Sequence, residues 1–251
     1  MIDFHTHILP HIDDGAKDSK MAVQIMENAR SQGVTDILFT PHYYGKRRNP
    51  VRFLEKRAEA FATLQGKIPD GVRVYLGAEV HFTGMNMPDF DELAKLSIED
   101  TKYILFELPF TTKWNSFLID TIREFIDETD YTPIIAHVER YEDVLKRPSL
   151  VTDFIRMGCL IQVNTHAFLN KREKGFAFTL LKHGLIHCLG TDTHDNDSRA
   201  PDYAQAKEVV EQAGFAEEWG KIQQNMRTIL DGGNVQVEQG KPVKKFFGKY
   251  F

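Results

Sequence analysis

The sequence predicts a parallel α/β barrel of seven strands, and three observations carry that expectation. Short apolar runs rich in β-branched residues alternate with amphipathic helical stripes, the pattern of strands buried on both faces. Glycine stands where stripes end and the next run begins, at Gly33, Gly158 and Gly184. Each apolar run then delivers a polar or metal-competent side chain at its C-terminal end, the end at which a barrel builds its site.

The first run, Ile2–Phe4, is followed by the stripe Met21, Ala22, Ile25, Met26 and Ala29, which Gly33 stops. Asp36–Phe39 is followed by Phe53, Leu54, Ala58, Phe61 and Leu64. Val72–Leu76 precedes a weaker helical segment at residues 85–100. Tyr103–Phe106 leads to Phe117, Leu118, Ile122, Phe125 and Ile126, and Pro133–Ala136 to Leu150, Val151, Phe154 and Ile155. Cys159–Val163 and Ile186–Leu189 complete the strands, and Tyr203, Ala206, Val209, Val210 and Ala213 form a last stripe before Gly214. No G-x-G-x-x-G or G-x-x-x-x-G-K-[ST] follows a strand, which removes the usual dinucleotide and P-loop sheets. An open sheet would string the polar strand ends along an edge. A closed barrel collects them on one face, so closure is favoured, one strand short of the usual eight.

The 251 residues suit one such barrel, and 42% hydrophobic with 27% charged residues is ordinary soluble composition. No repeat or linker divides the chain, so a single domain is expected, with the barrel at about residues 1–232 and a tail at 233–251. Thirty-one Lys+Arg against 36 Asp+Glu, a net charge of −5, speaks against a general nucleic-acid binder. Cys159 and Cys188 are too few for a disulfide framework and lack C-x-x-C spacing, which points to a reducing, cytoplasmic compartment. No window approaches the roughly 18 apolar residues of a membrane span, and the opening Met1–His5 has no basic-then-apolar leader.

The strand ends read His5-Thr6-His7, Pro41-His42, Glu79, Glu107, His137, Asn164 and Asp192-Thr193-His194. Residues i and i+2 of a strand share a face, so His5 and His7 project together, as do Asp192 and His194. Two adjacent imidazoles chelate a divalent cation. Asp13-Asp14-Gly15 follows the first strand on the same face and offers another carboxylate, from either aspartate. The mixed N/O set without thiolate suits Zn²⁺, Mn²⁺ or Fe²⁺, and it exceeds what one ion can use, so a polynuclear site is expected. A single strand-end histidine is usually a hydrogen-bonded structural residue. Nine such groups at seven strand ends are hard to attribute to chance. Among the other histidines, His183 and His187 read as exposed or capping, His11 as a loop residue, and His81 as more ordinarily structural. His166, two beyond Asn164, reads equally as a substrate contact or a supporting residue.

This pattern resembles the PHP (polymerase and histidinol phosphatase) superfamily: Asp3-Phe4-His5-Thr6-His7, Pro41-His42, Gly77-Ala78-Glu79, Ala136-His137 and Asp192-Thr193-His194. Within it, His11-Ile12-Asp13-Asp14-Gly15, Ala136-His137-Val138-Glu139-Arg140-Tyr141, Gln162-Val163-Asn164 and Arg199-Ala200-Pro201 resemble the CpsB/CapC-type bacterial protein-tyrosine phosphatases of capsule and exopolysaccharide operons. The resemblance implies a distorted (β/α)₇ TIM-like barrel of the PHP type holding three divalent ions, Mn²⁺ foremost, with Fe or Zn as alternatives. It implies His5, His7, Glu79 and Asp192 around the first, Glu79, Glu107 and His137 around the second, and Asp14, His42 and His194 around the third. The preference for Asp14 over Asp13 rests on this resemblance. So does the choice of substrate, the phosphotyrosine tail of a tyrosine autokinase that would hold the enzyme at the inner face of the membrane. Ala200 departs from the family pattern, where Pro is expected.

A phosphate monoester repels an anionic nucleophile, and clustered cations answer this by providing a hydroxide near neutral pH and neutralising phosphate oxygens. Arg140 and Arg199, in loops after His137 and His194, are candidate phosphate donors, although either can be a surface ion-pair residue. Asn164 is a candidate contact to phosphate or water, and His194 or a bound water a candidate proton donor. Thr165 and His194 stand six residues after the two cysteines, where a thiol phosphatase needs Arg, so a cysteinyl-phosphate route is excluded. The rivals are a PHP phosphatase of a small metabolite such as histidinol phosphate, a proofreading exonuclease and a non-catalytic metal-binding module. The segment Lys241–Phe251 is basic and aromatic. It reads either as a contact to anionic lipid or, more ordinarily, as aromatics folded onto the barrel. Lys46-Arg47-Arg48 with Arg52 reads as an attractor for an acidic phosphopeptide or as a solvated loop.

Overall fold

The computed structural model describes all residues except 46–48, 86, 111–112 and 238–239. The Lys46-Arg47-Arg48 cluster therefore lies outside the described residues.

Seven staves form the barrel, and two of them are broken. β1 (Ile2–Thr6) leads to α1 (Ser19–Ser31), which starts where the Asp18 side chain accepts the Met21 amide and stops before Gly33 at φ +87°. The second stave is β2 (Asp36–Phe39) followed by β3 (His42–Tyr44). Pro41 lies in the break, where its missing N–H cannot extend the ladder. Asn49 then caps α2 (Pro50–Ala62), with proline at the first helical position. The third stave is β4 (Arg73–Leu76) and β5 (Glu79–His81), broken at Gly77-Ala78.

The remaining staves run unbroken. They are β6 (Tyr103–Glu107), β7 (Thr132–Ile135), β8 (Leu160–Asn164) and β9 (Cys188–Gly190). Between and after them lie α4 (Ser116–Glu128), α5 (Glu142–Lys146), α6 (Leu150–Met157), α7 (Lys174–Lys182), α8 (Tyr203–Gln212) and α9 (Ala216–Leu230). Among the described residues, the segment expected as a helix at 85–100 contains only the five-residue α3, Phe90–Ala94. The tail forms a hairpin, β10 (Lys245–Phe246) and β11 (Lys249–Tyr250).

The breaks divide the ladder into a lower sheet, β1-β2-β4, and an upper sheet, β3-β5-β6-β7-β8-β9, parallel throughout. β9 closes onto β1 through Asp192 N–H to His5 O at 2.8 Å and His7 N–H to Thr193 O at 2.9 Å. Opposite, Ile98 and Glu99 bond Tyr103 and Leu76, stitching β6 to β4. The break in two staves sets His42 directly against Glu79 in the register of β3 and β5.

α9, absent from the sequence expectation, buries Trp219, Ile222, Met226, Ile229 and Leu230; each such side chain contributes about 1.5–3 kcal/mol. Cys188 opens β9 and Cys159 immediately precedes β8; both are buried, and burial pushes both thiols up, consistent with inert filling. His187 corrects the expectation of an exposed or capping residue. It is buried, its Nδ1 accepts the Ile161 amide at 3.1 Å, and burial lowers its pKa to about 4. No helix among the described residues is long and apolar enough to cross a membrane.

Candidate metal centre

The upper end of the barrel gathers nine side chains into four overlapping groups: His7-Asp14-His42-His194, His5-Glu79-His137, His5-His7-Asp192 and His42-Glu79-Glu107. Glu79 is the hub. Its Oε2 lies 3.2 Å from both His5 Nε2 and His7 Nε2 and 2.9 Å from His42 Nδ1, while Oε1 lies 2.8 Å from His137 Nε2. His5 Nε2 and His7 Nε2 stand 3.2 Å apart, a separation that requires a proton or a cation between two imidazole lone pairs.

The approach of His42 Nδ1 to Glu79 Oε2 does not meet hydrogen-bond geometry. Both atoms are buried without a hydrogen-bond partner, as are His137 Nδ1 and His194 Nε2. Buried polar atoms left with free lone pairs cost stability unless a further partner supplies charge. All nine donors are imidazole or carboxylate, a set that fits Mn²⁺, Fe²⁺ or Zn²⁺.

Electrostatics point the same way. Burial pushes the Glu79 carboxyl up, but the charge of His5, the bond to His137 and the close approach of His42 outweigh it and hold it well below the usual range. Asp192 is likewise held well down against burial, by His5 and His7. Burial opposes charging His5 and His7, yet Glu79 and Asp192 raise the first, and Asp13, Asp192 and Glu79 raise the second well above its ordinary value. Protons thus sit among these anions where cations can replace them. Burial, with the His7 charge second, lowers His194 to about 4; its Nδ1 donates to Asp192 O at 2.9 Å, which leaves Nε2 with a free lone pair.

Two aspartates that the sequence left open take different places. Asp13 Oδ2 accepts from His7 Nδ1 at 2.8 Å and from the His42 amide at 3.0 Å, which aims the far nitrogen of His7 into the cluster. Asp14 Oδ1 lies 3.4 Å from both His42 Nε2 and His194 Nε2 and faces the cluster itself. Glu107 Oε1 is 3.7 Å from His137 Nε2, and its Oε2 is 3.0 Å from His81 Nδ1, so His81 does face this end.

Backbone and space are specified as tightly as charge. His137 and Asp192 both take left-handed φ, 30° and 54°, a conformation costing about 1–3 kcal/mol each outside glycine and concentrated at functional sites. A Cβ on Gly190 would lie 2.4 Å from His5 Cβ, and one on Gly15 would lie 2.0 Å from His7 O, so both histidines pack on bare backbone.

Arg140 and Arg199 converge beside the cluster. Arg140 Nη1 is 2.9 Å from Asp192 Oδ2 and Arg199 Nη2 is 2.8 Å from Asp192 Oδ1, each side chain 39% exposed. Asn164 Nδ2 donates to the same Oδ2 at 3.2 Å. Together with His166 and Ser198 they line a cleft of about 170 Å³. His166 Nδ1 pairs with Asp202 at 3.1 Å on its wall.

Sequence reasoning passed over three supporting residues. Gln162, two before Asn164 on β8, donates to Asn164 Oδ1 at 2.9 Å and accepts the His137 amide at 2.6 Å. Asp3, two before His5, accepts from the Thr191 amide and hydroxyl, and burial raises it to about 7. Both carry the same two-residue period that revealed His5 and His7. Glu139 is buried, accepts the Asn164 amide and is raised by burial to about 8. Aromatic walls flank the cluster: Tyr44 lies 5.3 Å from the His42 ring, and Phe110 lies 5.4 Å from His137 with Arg140 over its face at 4.9 Å.

Known proteins agree with this geometry. The chain is 29% identical to tyrosine-protein phosphatase YwqE of Bacillus subtilis, over 99% of each chain. It is 29% identical to tyrosine-protein phosphatase CpsB of Streptococcus agalactiae serotype III, over 84% of this chain and 89% of that one. A solved structure from work on YwqE and Streptococcus pneumoniae CpsB, described as unique metal-dependent tyrosine phosphatases, superposes with a TM-score of 0.83 at 29% identity, covering 98% of this chain and 100% of that one. The barrel alone is shared with histidinol phosphate phosphatase of Lactococcus lactis, TM-score 0.53 at 14% identity, over 100% and 98% of the two chains. The family model for capsular polysaccharide synthesis, CpsB/CapC, matches residues 1–231, and the chain belongs to that family.

Proposed function

We propose that this chain is a metal-dependent phosphotyrosine-protein phosphatase. The observation that carries the reading is Glu79, one buried carboxylate within hydrogen-bonding distance of four imidazoles, beside two arginines that meet on Asp192. In this reading three divalent ions, Mn²⁺ foremost with Fe or Zn as alternatives, are held by the nine strand-end side chains. His5, His7, Glu79 and Asp192 serve the first, Glu79, Glu107 and His137 the second, and Asp14, His42 and His194 the third. When bound, such ions neutralise phosphate charge and lower the pKa of a water.

The chain's own residues do the rest. Arg140 and Arg199 offer planar guanidinium forks to the phosphate oxygens as negative charge spreads over them. Asn164 fixes Asp192 through its amide, and Gln162 fixes Asn164 in turn. Tyr44 and Phe110 supply apolar faces for the aryl group of phosphotyrosine, a feature that favours it over a small cationic metabolite. A phenolate of pKa about 10 leaves with modest proton assistance. The substrate in this reading is the tyrosine-rich tail of a capsule or exopolysaccharide tyrosine autokinase, met in the cytoplasm at the inner face of the membrane.

Turnover of a phosphotyrosine peptide and of histidinol phosphate tests the reading, after chelation and separate readdition of Mn²⁺, Fe²⁺ and Zn²⁺. Activity on the peptide is expected to vanish on chelation and return with Mn²⁺, exceeding that on histidinol phosphate. Peptide turnover that survives chelation, or a preference for histidinol phosphate, overturns it.

A further inference from the structure

The tail hairpin has two unlike faces. Lys245 pairs with Tyr250 and Phe246 with Lys249, while Lys244 and Phe251 exchange both backbone hydrogen bonds at 2.8 and 2.9 Å. Paired residues share a face and successive residues alternate, so Lys245 and Tyr250 form one face and Lys244, Phe246, Lys249 and Phe251 the other. The first face is fixed to the barrel: Lys245 Nζ donates to Leu145 O at 2.8 Å, and the Tyr250 ring stands 4.7 Å from Phe176. Upstream, Lys241 O sits 2.9 Å from His183 Nδ1, and a Cβ on Gly240 would meet His183 O at 2.5 Å. The second face is turned to solvent, with Phe246 66%, Phe251 58% and Phe247 90% exposed. The expectation that the tail aromatics fold onto the barrel thus holds for Tyr250 and fails for the three phenylalanines.

The tip is costly to the fold on two counts. Phe247 and Gly248 form the two-residue turn with φ +46° and +76°, a geometry that ordinarily selects Asn-Gly or Asp-Gly. Phe247 takes a strained backbone there, and its ring gains no burial. It stands against the ring of Phe246, centroids 4.4 Å apart, to make a paired apolar wedge. Charge then selects the environment. Lys241, Lys244, Lys245 and Lys249 lie in residues 240–251 without one acidic side chain, in a chain whose net charge is −5.

We propose that this hairpin docks on an anionic lipid bilayer, with Phe246, Phe247 and Phe251 in the interfacial layer and Lys244 and Lys249, on the same outer face, against the headgroups. Aromatic rings favour that depth, and lysine stems run along apolar surface while their ammonium groups reach phosphate. The rigid attachment of the inner face means that lipid contact would hold the whole barrel at the surface. The inference is independent of the phosphatase reading.

Flotation of the full chain with phosphatidylcholine vesicles, with and without phosphatidylglycerol, tests it at low and high salt. Binding is expected to rise at least about tenfold with phosphatidylglycerol and to fall at high salt. The double substitution Phe246→Ser, Phe247→Ser is expected to abolish it, with melting temperature and turnover of a soluble substrate unchanged. Phe247→Asn, which suits the turn, is expected to weaken vesicle binding while raising the melting temperature. Absence of binding, equal binding to both vesicles, or a dimer in solution that these substitutions dissociate overturns the proposal.

Discussion

The two ends of the barrel bury carboxylates in opposite ways. At the lower end, Asp36 is 1% exposed and fully answered from within. Arg73 Nε lies at 2.8 Å, Arg227 Nη2 at 2.7 Å, Tyr75 OH at 3.1 Å and Thr35 Oγ1 at 2.8 Å. Burial pushes that carboxyl up, and Arg73, Arg227 and Thr35 bring it below its ordinary value. At the upper end, Glu79 is equally buried, yet its neighbours are imidazoles and one of its oxygens has no hydrogen-bond partner. Fixed guanidinium charge closes the lower network with protein alone. Imidazole lone pairs leave the upper one open to added cations. A buried acid is therefore not informative by itself; the protonation chemistry of its neighbours separates a structural pair from a site.

Substitutions at each end sharpen this contrast. Glu79→Gln is expected to lower kcat/KM on phosphotyrosine peptide by at least about 10³-fold, because the hub of the cluster is lost. Bound metal measured by mass spectrometry should fall with it, and Mn²⁺ should raise the melting temperature of the wild-type chain but not of the variant. Arg199→Ala should cost about 10²–10³-fold in kcat/KM with metal content retained, by loss of one oxyanion donor. Arg227→Met should instead cost roughly 2–3 kcal/mol of stability in urea denaturation, since of its two arginines Asp36 then keeps the mostly exposed Arg73. Kinetics of the folded protein should be near normal. Equal losses of activity from Arg227→Met and Arg199→Ala would erase the distinction between the ends.

The smallest effect concerns a histidine satisfied entirely within the fold. His187 is lowered to about 4, below the ordinary 6.5, because it is buried as a neutral acceptor. Below pH 6.5 the unfolded chain takes up a proton there that the folded chain refuses, so stability falls as pH falls toward 4. Roughly 2 kcal/mol should be lost by pH 5. His187→Gln should flatten that slope in denaturation curves at pH 5 and 7.

Much of this was legible because strands repeat every two residues. The spacing of His5 and His7 and the polar strand ends required no knowledge of the distant chain, and the same period would have exposed Asp3 and Gln162. The halves of the broken staves were not separated, although Pro41 carried the signal that a ladder could not continue there. α9 escaped because Gly220 and the run Gln223-Gln224-Asn225 dilute a regular stripe of Trp219, Ile222, Met226 and Ile229. His187 was misread because its hydrogen-bond partner, Ile161, lies on a neighbouring strand that local sequence does not reveal. Asp13 and Asp14 differ only in how one loop turns, and spacing cannot choose between them. Nothing in the sequence around His137 or Asp192 announces a left-handed backbone.

The breaks in two staves also divide the rim mechanically. His42 and Glu79 ride on β3 and β5, where the regular pairing of β2 with β4 gives way to the bonds Gly77 N–H to Phe39 O and Glu79 N–H to Pro41 O, whereas Asn164 ends, and His137 follows, a stave that runs through without interruption. Breathing should concentrate along that seam, so amides of β3 and β5 should exchange with solvent sooner than those of β8. Loosening there would reach the hub directly, because the most connected carboxylate of the rim stands immediately beside a break.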